Sequence, residues 1–216
     1  MNNSTILKKT ELYIVGEFKT EGSGHDWYHI DRVRKMALRI GIIEGSDLFI
    51  TEMAAMLHDL DDWKLNGSLL NKLVKTENWL DQVNVPVDVA LRILKIIDEV
   101  SFKGAGTETP VSTVEAAVVQ DADRLDALGA IGIARAFAYG GNKNRLIYDP
   151  DVSPVMHRNF DEYKNGNAST LNHFYEKLLL LKDRMNTKTA RQIAEERHRF
   201  MEVFIDQFSE EWVAAR

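Results

Sequence analysis

The stretch "AAMLHDLDDW", residues 54–63, decides how the chain is read. Upstream of it, Ile50, Met53, Ala54 and Leu57 recur at the three-and-four spacing of a helix, so His58-Asp59 falls at a helix C-terminus. Neighbouring helix positions point about 100° apart, yet two of them can still reach one ion at a bend or terminus. Asp59, Asp61 and Asp62 then gather negative charge where the helix dipole already disfavours it. Such acids need compensation from solvent or from a cation. A solvated acidic helix end beside a surface histidine meets that need as well as a bound ion does, and in either case Asp61 is the acid expected to face solvent.

Working outward, helical periodicity dominates. Helices are expected at about 4–19, 25–40, from Ser46 (as N-cap) to His58, near 69–83, and at 87–99 behind Pro86. "SFKGAGTETP" (101–110) is a loop rich in turn formers. A long helical tract at 111–141 breaks near Asp126, residues 141–168 show little periodicity, and two helices close the chain at 169–184 and 187–213 with Asn186-Thr187 as the last N-cap. In the last helix Ala190, Ile193, Ala194, Phe200, Met201, Phe204, Ile205, Phe208 and Trp212 form a broad apolar stripe, as core packing requires. No alternating strand pattern appears, and the expectation is one all-α domain.

Composition narrows the function. The length of 216 residues suits one large domain or two small ones. A net charge of −6 argues against a broad nucleic-acid or anionic-membrane surface, though not against a small phosphorylated substrate in a local positive pocket. The absence of cysteine removes disulfides, thiolate metal sites and cysteine nucleophiles, and fits a cytoplasmic protein. The first fifteen residues lack the apolar run of a signal peptide, and no stretch approaches the ~18–20 apolar residues of a membrane span.

Two further stretches carry chemistry. "GSGHDWYHIDRV" (22–33) holds His25 and His29 one helical turn apart. "VVQDADRLDALGA" (118–130) places Asp121, Asp123 and Asp126 between apolar runs, where carboxylates are costly unless paired or metal-bound. A salt bridge to Arg124 or another basic residue would satisfy Asp121 and Asp126 equally well.

The order His29, then His58-Asp59 after an apolar helix, then Asp123 in "DADRLDALGA" resembles the HD-domain superfamily of metal-dependent phosphohydrolases. The likeness covers about 25–138, and the C-terminal tract at about 169–213 resembles an extension in one bacterial branch of small HD hydrolases. It implies an HD-domain helical bundle with additional C-terminal helices, a single domain over 1–216. It also implies His29, His58, Asp59 and Asp123 as ligands of a divalent ion, Mn or Mg first, with Fe, Co or Ni also suited. Some branches hold two metals through extra histidines; none stands here between His58 and His157, so one metal is favoured.

The reaction implied is hydrolysis of a nucleotide phosphate ester or anhydride by metal-activated water. The branch resembles nucleotide pyrophosphohydrolases and nucleotidases, which makes a (deoxy)nucleoside triphosphate pyrophosphohydrolase the first expectation. A nucleoside 5′-monophosphate phosphatase and a non-catalytic metal- or nucleotide-binding regulatory module are the alternatives. Asp62, four residues after His58, matches the acid that related nucleotidases use on the attacking water. Phosphate charge calls for nearby cations: Lys103 in the glycine-bearing loop, Lys64, and His25 beside His29, with Arg32 and Arg124 as further candidates. Arg145, Tyr148 and His157 in the long loop are candidates for a lid or base pocket. Asp26 reads as a first-turn acid, and a homo-oligomer is compatible with the wide apolar helix faces.

Overall fold

The structure, a computed structural model, describes residues 2–19, 26–61, 73–100, 109–155 and 169–215. Contacts divide them into two compact units, one ending with Ala122 and the other beginning with Asp123, apart from the intervening 103–108. All regular structure among the described residues is helical, as expected.

In the first unit α1 (Asn3–Glu17), α2 (Trp27–Glu44), α3 (Leu48–Leu57), α4 (Val74–Gln82) and α5 (Val87–Val100) are followed by most of α6 (Val114–Asp126). The short α3 is its centre. Ile50, Thr51 and every residue from Met53 to Leu57 are buried, because α1, α2 and α5 all pack against it. A helix apolar on all sides is stable only when surrounded in this way. Its N-cap is Asp47, which accepts from the amides of Phe49 and Ile50; the expected cap, Ser46, instead meets the Thr51 hydroxyl at 2.9 Å. The α2–α3 turn is sharp because Gly45 takes φ +77°, a left-handed conformation that closes α2. Arg34 on α2 ties the helices further, reaching Glu52 on α3 at 2.6 Å and Glu11 on α1 at 3.4 Å.

The second unit holds the last turn of α6, α7 (Gly129–Asn142), α8 (Asn172–Glu176), two 3-10 turns and α9 (Lys188–Trp212). The break near Asp126 falls at Ala127-Leu128. The helix expected over 169–184 is only partly formed: α8 gives way to 3-10 turns at Leu178–Leu180 and Lys182–Arg184. Leu178 and Leu181, three apart, are both buried there, which is the spacing that a three-residue turn aligns. Thr187 caps α9 by accepting from the Ala190 amide. The α9 stripe is narrower than its sequence suggests, since Ala190, Ala194, Met201 and Ile205 are buried while Phe200 is 52% exposed. Phe137, Phe174, Phe204, Phe208, Tyr148 and Trp212 form a ladder of ring contacts.

Candidate metal centre

His58 stands at the C-cap of α3 with helical backbone angles. Its Nδ1 lies 2.8 Å from the Ala55 carbonyl oxygen. A carbonyl only accepts, so Nδ1 carries a proton, which leaves Nε2 as the ring nitrogen whose lone pair is available to a metal. That Nε2 lies 3.4 Å from Asp59 Oδ1. His29 arrives from the first turn of α2, where Asp26 is the N-cap and accepts from the His29 amide at 2.8 Å. The His29 Nε2 lies 3.4 Å from the other Asp59 oxygen, Oδ2.

One donor atom from each of the three residues falls within 4.8 Å of the others. All three are buried; His29 is 1% exposed. A lone pair facing a carboxylate oxygen in a buried setting is repulsive unless a proton or a cation lies between them. Ligand atoms at right angles on one ion, with bonds of about 2.1 Å, sit roughly 3 Å apart, close to both separations here. The carbonyl–imidazole contact behind His58 is the arrangement that fixes tautomer and ring orientation in metal-ligating histidines. The donor set therefore fits a divalent ion.

Asp123 is half-buried in the last turn of α6, in the second unit. Asp126 pairs with Arg135 at 2.7 Å, the salt bridge that its apolar setting called for. Arg124 donates to the Arg184 carbonyl. Arg32 is half-buried on α2. Arg145 lies over the Tyr139 ring, and Tyr148 packs edge-on against Phe208 and Trp212. His25, Asp62, Lys64, Lys103 and His157 lie outside the described residues.

Asp61 corrects the sequence reading. It is a bound acid, not a solvated one: its carboxylate accepts from the amides of Lys75 and Thr76 at 3.0 and 2.9 Å and from the Thr76 hydroxyl at 2.7 Å. Gln120 also escaped notice. Its side-chain amide donates to the carbonyls of Glu99 and Thr109, holding together the chain on either side of 101–108. Neither role has a local sequence signal, because the partners, main-chain groups and the Thr76 hydroxyl, lie eleven or more positions away in the chain.

Residues 26–128 match the HD domain family. The span includes His29, His58, Asp59 and Asp123. Over 193 residues the chain is 42% identical to YpgQ of Bacillus subtilis, covering 88% of this chain and 86% of YpgQ. The chain belongs to the HD-domain superfamily. A crystal structure of an HD-superfamily hydrolase from Bacillus thuringiensis is 46% identical, covers 99% of this chain and 100% of its own, and superposes with a TM-score of 0.78. The structure of Bacillus subtilis YpgQ in complex with ADP is 40% identical, covers 95% of this HD protein and 97% of its own chain, and has a TM-score of 0.76.

Proposed function

We propose that this HD protein is a metal-dependent phosphohydrolase of nucleotides, specifically a (deoxy)nucleoside triphosphate pyrophosphohydrolase. The observation that carries the reading is the convergence of His29, His58 and Asp59 from two helices onto one buried point. The ADP bound to a relative 40% identical over nearly the whole chain supports a nucleotide as substrate. The superfamily pattern makes Asp123 the fourth ligand.

When bound, the ion supplies Lewis acidity toward a phosphoryl oxygen and toward water. The protein does the rest. The Ala55 carbonyl holds the His58 ring in the tautomer whose Nε2 is a donor of electrons. Burial of the three ligands removes competing solvent and strengthens every charge interaction at the centre. The carboxylate of Asp62 orients the attacking water and takes its proton. His25, Lys64 and Lys103 neutralise the phosphate tail. Two nitrogen and two carboxylate ligands suit Mn²⁺ or Mg²⁺, and a cytoplasmic enzyme would meet both.

The test is a panel of nucleoside tri-, di- and monophosphates assayed with added Mn²⁺, and again after chelation. Pyrophosphate release from triphosphates, lost on chelation, supports the reading. Orthophosphate released from monophosphates alone would assign a 5′-nucleotidase instead. Metal binding without turnover of any phosphoester would assign a regulatory module.

A further inference from the structure

The helix α4 begins without a cap of its own. Its N-cap residue is Leu73, which has no side-chain oxygen and sits in the left-handed region at φ +72°. A side chain with a Cβ adopts that conformation only at a steric cost. The first amides of any helix need acceptors from outside it. Here they are supplied from far upstream: Asp61 takes the amides of Lys75 and Thr76 together with the Thr76 hydroxyl. A carboxylate at a helix N-terminus is favoured both by the dipole and by charge-assisted hydrogen bonds.

The capped helix is firmly held. Thr76 and Leu80 are buried. The Trp79 indole N–H donates to the Thr10 hydroxyl at 3.0 Å, and its ring stacks on Tyr13 with centroids 4.1 Å apart. The carboxylate that accepts these bonds belongs to the turn that bears the candidate ligands. His58 is anchored by Ala55, Leu60 is buried and donates its amide to the Leu57 carbonyl at 3.1 Å, and Asp61 is the next residue.

We propose that Asp61 is a positioning residue of the metal centre: by capping α4 from a distance it fixes the turn that aims Asp59. The proposal rests on the reading of His29, His58 and Asp59 as metal ligands. A centre of this kind tolerates displacements of only about 0.5 Å. Without the cap the turn after Leu60 loses these three hydrogen bonds to α4, and Asp59 is released from one side.

The experiment is titration of the metal-free full chain with Mn²⁺, followed by electron paramagnetic resonance of the free ion, with thermal unfolding of the metal-free protein alongside. Asp61→Ala is expected to raise the Mn²⁺ dissociation constant by about 10-fold or more, the usual effect of losing an outer partner. Asp61→Asn, which keeps one acceptor oxygen, is expected to fall between. Thr76→Val should weaken binding and Thr76→Ser should restore it; this pair decides the matter if Asp61→Ala does not fold. A merely structural role would lower the unfolding midpoint while leaving the affinity of the folded fraction at the wild-type value, and that result overturns the proposal. A wild-type chain that binds no Mn²⁺ overturns instead the metal reading beneath it.

Discussion

His29 Nε2 stands 3.4 Å from Asp59 Oδ2, while His58 Nε2 stands at the same distance from Oδ1. One carboxylate thus serves two rings with separate oxygens, and each ring is placed by a different element. His29→Ala is expected to abolish Mn²⁺ binding, measured calorimetrically, and to reduce turnover by at least about 10³-fold, because it removes one of the two nitrogen ligands and the buried donor facing Asp59 Oδ2. His25→Ala should retain the metal and slow turnover. The converse pattern would exchange the roles of the two histidines.

Loading the centre should stabilise the fold. A ligand bound only by the native state adds RT ln(1 + [L]/Kd), about 2.7 kcal/mol at a hundredfold excess over Kd. Mn²⁺ is therefore expected to raise the unfolding midpoint of the wild-type chain and leave that of Asp59→Asn unmoved. An equal rise in both proteins would place the ion elsewhere.

The legibility of this molecule follows the range of its interactions. His58-Asp59 was visible because a helix end announces itself locally, in the periodicity from Ile50 to Leu57 and the acids after it. Its convergence with His29 has no local signal and came only through the resemblance. Ser46 and Asp47 are adjacent and equally competent as caps, so the sequence alone cannot choose between them; the Glu115 carboxylate, accepting from the Asp47 amide at 3.0 Å, is part of what settles the geometry there. The leucine run at 178–181 has a helical composition, but burial of Leu178 and Leu181 is met by tighter turns. Asp61 was misread because its partners are two backbone amides and a hydroxyl fourteen and fifteen positions away.

The Arg135–Asp126 pair bears on stability. Asp126 is 5% exposed, and the guanidinium reaches it at 2.7 Å. Removing the guanidinium takes from the buried carboxylate its 2.7 Å ion pair, at a cost of a few kcal/mol, whereas an apolar replacement of both is far milder. Arg135→Ala is expected to destabilise the chain by about 2–4 kcal/mol in urea unfolding, and Arg135→Met with Asp126→Leu by markedly less. A double variant as unstable as the sum of the two single ones would show that the two residues act independently.

His173 gives the protein an acid-side weakness. Burial first, then the charges of Lys177 and Arg145, holds its imidazole well below the usual 6.5, to about 3. The unfolded chain takes up this proton near pH 6.5 and the folded chain only near 3, so between those values the unfolded state binds more protons. Stability contributed by the neutral ring is complete above about 6.5 and falls as the pH drops toward 3. By pH 5 this group alone should cost the fold about 2 kcal/mol. His173→Gln, which cannot take up the proton, is expected to lower stability modestly at pH 7.5 and to flatten its decline between pH 6.5 and 5. Urea midpoints at the two pH values measure this directly, and a variant that loses stability in acid as steeply as the wild type would assign the decline to other groups.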